Sequence, residues 1–124
     1  MTALDRLTEP AVVRLPAEID MSNASGVGDE LRSAISTGVT VVVADMTSTG
    51  FCDSAGMRCL LLADDHAGAH GAQLRVALPP GQVLRILQLM GIDRLLTIYP
   101  SLAAAVSGGS PGQTACTPAA ERRT

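Results

Sequence analysis

An α/β fold built from parallel βαβ units is what this chain predicts, on three observations. Short β-branched runs alternate with segments whose apolar residues recur at three- and four-residue intervals. The run VTVVVADM (39–46) is an almost unbroken β-branched stretch, the mark of a strand covered on both faces. Glycine and proline fall at the junctions between the two kinds of segment, where turns are needed.

The first ten residues, MTALDRLTEP, are polar with a weak leucine spacing and end in a proline, so they read as a tail or a short edge strand. AVVRLPAEID (11–20) reads as a strand that leaves the sheet near Pro16, because proline cannot donate to a ladder. From Ser22, Ala24, Val27, Leu31 and Ile35 form one helical stripe with Asp29, Glu30 and Arg32 turned outward. Ser22 or Asn23 can cap that helix, and Gly38 stands where a left-handed residue ends it. After the 39–46 strand, TSTGFC is a polar turn and SAGMRCLLLADDHAGA (54–69) a second helix. QLRVAL (73–78) is another strand, and GQVLRILQLMGI, following Pro79-Pro80, is a helix closed by Gly91. LLTIY (95–99) is a last strand and SLAAAV (101–106) a last helical turn or two. Beyond Ser107 the composition shifts to Gly, Ser, Thr, Ala and Pro with no apolar period, so 108–124 reads as a disordered tail behind a single domain over 11–107.

Composition narrows the function classes. The chain has 124 residues, 47% of them hydrophobic, but Phe51 and Tyr99 are its only aromatics, so stacking on bases or sugars is poorly supplied. Its net charge is −3 and its basic residues are all arginine and scattered, which argues against a phosphate-tracking nucleic-acid surface. Three cysteines with no C-x-x-C and no secretory leader pattern point to a reducing cytoplasm. Apolar runs are far shorter than the roughly 20 residues a membrane-spanning helix requires, so direct membrane insertion is not expected.

Several residue groups invite a catalytic reading and fail on spacing. His66 and His70 stand at i, i+4 beside Asp64 and Asp65, but DDHAGAH lacks the glutamate of a zinc-hydrolase helix and a third ligand, so it reads as a solvated helix end. These histidines are the chain's only imidazole bases and sit at least roughly 18 Å along the helix from Ser54 at about 1.5 Å per residue, too far to activate it or Cys52. C-D-S-A-G lacks the glycine a nucleophile elbow needs two residues before its serine. Gly26 and Gly28 match two positions of a dinucleotide fingerprint, but Leu31 replaces the third and the pair lies inside a helix. Cys52 and Cys59 read as buried thiols about two helical turns apart, too distant to bridge. No catalytic residue, metal or cofactor is expected.

What remains is the stretch GFCDSAGM (50–57). Asp53 and Ser54 can cap the second helix, a contribution of about 1 kcal/mol, and the same exposed amide tip favours negative charge. A phosphate on a serine there would add about −1.5 to −2 charges, enough to repel or re-aim a binding partner.

Three ordered segments, L-P-A-E-I-D (15–20), D-M-T-S-T-G-F-C-D-S-A-G-M (45–57) and G-I-D-R-L-L-T-I-Y-P-S-L-A-A-A (91–105), resemble the STAS domain of bacterial anti-sigma factor antagonists. The spacing from Asp45 to Asp53 and the position of Phe51 agree with that family's pattern. The resemblance implies an α/β, STAS-type (SpoIIAA-like) mixed β-sheet with helices packed mainly on one face, in a protein that is not an enzyme and works by binding. It implies as partner an anti-sigma factor that is a serine kinase of the Hsp90-type ATPase fold, whose capture frees a sigma factor. In the family, phosphorylation of the residue before the glycine of D-S-[ST]-G ends that interaction; here this position is Ala55, which has no oxygen to phosphorylate. Three readings stay open: constitutive binding, phosphorylation of Ser54 instead, or a STAS module of another branch such as a lipid ABC transporter partner or a stress-complex scaffold. A second departure is Ala17 where the family carries glycine.

The expected partner-binding surface is Asp20, Asp53, Ser54, Ala55, Gly56, Met57 and Arg58 with the loop 47–51. Met57 would supply adaptable apolar contact, Arg58 a bidentate donor and Gly56 a close backbone approach. Homodimerisation is left open.

Overall fold

The computed structural model describes residues 9–108; the readings placed on 1–8 and 109–124, Cys116 included, lie outside the described residues. The chain runs β1 (Ala11–Arg14), β2 (Glu18–Ile19), α1 (Ala24–Ile35), β3 (Val41–Asp45), β4 (Phe51–Cys52), α2 (Ser54–Ala69), β5 (Gln73–Ala77), α3 (Gln82–Leu89), a 3₁₀ turn (Ile92–Arg94), β6 (Thr97–Tyr99) and α4 (Leu102–Ser107). Four strands form a sheet in the order β1-β3-β5-β6, and β2 and β4 form a separate two-stranded ladder. Every strand pair among the described residues is parallel, with β3 central, Val42 opposite Ala11 on one side and Leu74 on the other.

Alternation along the strands divides the core. Val42, Ala44, Leu74, Val76 and Ile98 face one way and pack with Val27, Leu31 and Ile35 of α1 and Met57, Leu60, Ala63 and Ala67 of α2. Val43, Ala77 and Tyr99 face the other way and are covered by Ala105 of α4. Burial on both sides accounts for the unbroken apolar run in β3. The short α4 is fastened by Arg75, whose Nη1 donates to the Ala105 carbonyl at 2.9 Å and whose guanidinium carbon stands 5.8 Å from the Tyr99 ring centre. Gly108 ends α4 in the left-handed region at φ 74°, where a Cβ would come within 2.8 Å of Arg75 Nη1.

The structure departs from the sequence expectations at four places. The 11–20 strand is two: β1 stops at Arg14, and after Pro16 the chain pairs again, with β4. The turn TSTGFC therefore contains a strand, too short at two residues to show a period. The last strand starts at Thr97 and not at Leu95, because Leu95 N donates to Ile92 O at 2.9 Å and closes the 3₁₀ turn. Asn23 holds the N-cap position of α1 without capping it: its side chain turns back, accepting from Asp20 N at 2.9 Å and donating to Glu18 O at 2.8 Å. Asp20 O accepts from Asn23 N and Ala24 N in its stead. Gly38 does adopt positive φ, 95°, and Gly91 follows α3 at 75°.

Cys52 and Cys59 are buried free thiols. Burial first, then the neighbouring Cys59 and Asp53, pushes the Cys52 pKa up to about 11; burial also raises that of Cys59. At pH 8 only about one Cys52 in a thousand is then thiolate, the reactive form. Iodoacetamide at that pH should leave both cysteines unmodified in the native protein and label both in urea, as peptide mass mapping would record; rapid native labelling of Cys52 would contradict its burial.

Candidate functional site

The start of α2 is positioned by a chain of polar contacts that begins at β3. Asp45 accepts from Thr47 N at 3.0 Å and Thr47 Oγ1 at 2.6 Å, turning the chain as it leaves the sheet. Thr49 Oγ1 then donates to Pro16 O at 2.8 Å and Gly50 N to Ala17 O at 2.8 Å, tying the 47–51 loop to the segment between β1 and β2. Asp53 N reaches Ile19 O at 3.0 Å, so the β2-β4 ladder delivers Asp53 at the N-cap of α2. Its Oδ1 accepts from Ala55 N at 2.9 Å and Gly56 N at 3.1 Å. Those two bonds satisfy amides that a helix start leaves without partners, and the carboxylate suits the positive end of the dipole.

The seven sequence-predicted residues divide into an outward and an inward set. Ser54 and Arg58, four residues apart, are exposed on one stripe of α2, and the Ser54 hydroxyl makes no hydrogen bond with another described residue. Asp53 and Ala55 are half-buried. Met57, by contrast, is only 4% exposed and belongs to the core, while Met90 at the end of α3 is 57% exposed. Met57 thus has little surface to lend a partner, because helix periodicity turns it towards the sheet when Ser54 and Arg58 point out. The close approach at Gly56 is likewise internal: a Cβ there would lie 2.7 Å from both Cys52 Sγ and Ile19 Cγ2. Asp20 stands at the head of α1, where Ser22 Oγ at 2.5 Å and Ser22 N at 2.9 Å donate to its Oδ1 and hold its pKa below the usual carboxylate range. Its carboxylate shapes that turn.

Residues that sequence reasoning left out complete the surface. Ser54, Ala55, Met57, Arg58 and Leu61 of α2 line, together with Met90 and Ile92, a shallow and open depression of about 370 Å³. Near the helix start Met21 is exposed as well, beside Phe51 of the expected 47–51 loop. Met90 is one residue beyond the last turn of α3, so the buried stripe of Val83 and Leu87 does not govern where it points. That boundary was the only signal, and sequence does not mark it sharply.

The histidine pair is close but does not gather ligands. The His66 and His70 rings lie 4.2 Å apart, and His70 Nδ1 is 2.9 Å from the His66 carbonyl oxygen. Among the described residues no three His, Cys, Asp or Glu side chains are grouped as a metal would need. Desolvation foremost, with His70 and Arg32 adding to it, lowers the His66 pKa. Nor is any helix among the described residues long and apolar enough to cross a membrane.

The STAS-domain family model matches residues 2–105. The crystal structure of an anti-sigma factor antagonist from Mycobacterium paratuberculosis is similar with a TM-score of 0.72 at 23% identity, over 81% of this chain and 85% of that one. SpoIIAA, an anti-sigma factor antagonist solved in its unphosphorylated form, is similar with a TM-score of 0.64 at 21% identity, over 82% and 90% of the two chains. A sulfate transporter family protein from Wolinella succinogenes is similar to the same degree, TM-score 0.64, at 16% identity over 80% and 83%. At such identities the likeness to these structures is one of fold.

Two substitutions test how the tip is held. Gly56→Ala should gain about 1 kcal/mol of helix propensity but lose about 1–3 kcal/mol to overpacking, since the β-branched Ile19 and the Cys52 sulfur have no room to retreat. The expected net result is a lower thermal midpoint; a raised one would mean that the two neighbours relax freely. Asp53→Ala should cost about 1 kcal/mol in urea denaturation through the lost cap, and Asp53→Asn less than that, because its amide oxygen still accepts.

Proposed function

The chain belongs to the STAS-domain family, and from that premise we propose that it is a partner-binding regulator of the anti-sigma factor antagonist type, cytoplasmic and without catalytic activity of its own. In this reading the tip of α2 docks on an anti-sigma factor that is a serine kinase of the Hsp90-type ATPase fold, and the occupied kinase releases its sigma factor. The observation that carries it is the capped tip itself: Ser54 and Arg58 stand exposed on a helix start whose Ala55 and Gly56 amides already bond the Asp53 carboxylate. A surface preorganised in that way loses little conformational entropy on binding.

The same cap bears on regulation. Ala55 removes the hydroxyl at the family's acceptor position, which leaves Ser54 as the neighbouring candidate. A phosphoryl group on Ser54 would carry about −1.5 to −2 charges beside the Asp53 carboxylate. Both adjacent amides are committed to Asp53, so the nearest cationic receiver on the helix is Arg58, one turn away. An ion pair there would withdraw the guanidinium from a partner, which is a route from modification to release.

The likeness to a sulfate transporter family protein supports a second reading, a STAS module that serves a membrane permease. Affinity purification from the source cell, with and without ATP, separates the two. Recovery of a kinase-type anti-sigma factor, bound at least tenfold more weakly by Asp53→Ala and Arg58→Glu variants, is the expected outcome; co-purification of a permease in its place, indifferent to ATP, would favour the transporter reading. Incubation of the purified pair with ATP then decides the switch: one phosphoryl group gained and lost again in Ser54→Ala marks Ser54 as the acceptor, and an unchanged mass marks constitutive binding.

A further inference from the structure

Five methionines occur in the chain, of which Met1 lies outside the described residues. The other four divide into two pairs. Met46 and Met57 are buried in the core, whereas Met21 is 81% exposed and Met90 57%. Both exposed side chains border the start of α2. Met90 lines the depression together with Ser54, Ala55 and Arg58. Met21 lies two residues beyond Ile19, whose carbonyl accepts from Asp53 N at 3.0 Å, so it leaves the β2-β4 ladder next to the α2 N-cap. Leu89 and Leu95 are exposed too, but they carry no atom open to mild oxidation, and a thioether sulfur is such an atom.

The cysteine sulfurs among the described residues are shielded. Cys52 and Cys59 are buried, and burial keeps their thiols protonated, so a peroxide finds almost no thiolate to attack it. A thioether has no proton to lose, and its susceptibility follows exposure. The sulfur that an oxidant meets first is therefore methionine sulfur, at two places beside the docking tip.

We infer that Met21 and Met90 are reversible oxidation sites, and that a hydroperoxide weakens docking at the α2 tip by converting them to sulfoxides. The inference rests on the docking reading above and adds a control that does not involve Ser54. With hydrogen peroxide, a sulfur lone pair attacks one peroxide oxygen; the S–O bond forms as the O–O bond breaks, and the departing hydroxide takes the proton of the transferred oxygen and leaves as water. Sulfur gives up two electrons and the peroxide gains them. A flexible apolar side chain thereby becomes a polar, chiral one. Its oxygen would have to shed water against a partner surface that had received a thioether, which opposes binding. Sulfoxide reductases, one for each epimer, reverse the change. Because Met46 and Met57 stay sealed, the modification is confined to the surface and the fold is retained.

The test treats the full chain with graded hydrogen peroxide, removes the oxidant with catalase, and measures peptide mass, thermal midpoint and affinity for the kinase-type anti-sigma factor recovered by affinity purification. Met21 and Met90 should each gain one oxygen before Met46 or Met57 gains any, with the thermal midpoint unchanged. Binding should weaken at least fivefold and return after treatment with both sulfoxide reductases. A Met21→Leu, Met90→Leu double variant, whatever its own affinity, should keep that affinity through the same treatment, and a Cys116→Ser variant should lose binding as the native chain does. Oxidation of all four methionines together, persistence of the loss in the double leucine variant, or its disappearance in Cys116→Ser would each overturn the inference. If Asp53→Ala and Arg58→Glu weaken binding while the oxidised chain stays within twofold of the untreated one, the docking tip stands and the redox control falls. A kinase that does not bind even the untreated chain overturns both readings.

Discussion

The whole arrangement of the site depends on one close approach, that of Gly56 to Ile19 and Cys52. A helix start can meet a strand pair at this distance only where a side chain is missing, and a single Cβ would stand 2.7 Å from two heavy atoms at once. With the first turn of α2 seated there, the rotation of the helix is no longer free. Met57, Leu60 and Ala63 must face the core, and Ser54 and Arg58 must face out. The surface offered to a partner is thus the remainder left by a packing constraint inside the molecule.

That seat is held by polar bonds as well as by the burial of Ile19, Cys52 and Met57 in the core. The β2-β4 ladder has only two residues a side, far too little to hold together unaided. Thr49 and Gly50 supply what the ladder lacks by bonding the loop to Pro16 and Ala17 across more than thirty residues of sequence, while Asp45 and Thr47 hold the local turn that leads into it. Each such bond contributes about 1 kcal/mol net, added to what the burial of Ile19 and Cys52 supplies. The large parallel sheet below provides the stability, and the small ladder uses a few hydrogen bonds to aim one helix.

The two faces of the sheet have different work. One carries α1 and α2 with their long apolar stripes and so builds most of the core. The other is covered by α4, six residues long, which Arg75 holds by its last turn. The proposed docking tip is the start of α2, one of the helices that cover the first face. Substitutions on the α4 side therefore act on stability with little route to recognition.

Much of this was legible in the residues. The β-branched run of β3, the stripe of α1, the bounds of α2 at Ser54 and Ala69 and the alternation of strand with helix follow from period and punctuation, which are local properties of a chain. The ordered segments around Asp20, Asp53 and Gly91 likewise carried the family resemblance, and the Asp53 cap could be read from its place before an apolar helix. The two-residue strands could not be read, because a period needs more residues than they have. Neither could the inward turn of Met57 and the outward turn of Met90, since a methionine near a helix end is apolar in either place. Local chemistry determined which elements exist; only the packing of α2 against Ile19 and Cys52, and the break of α3 at Met90, decided which apolar side chains were left for another molecule, because contact between distant segments has no signature in the order of residues.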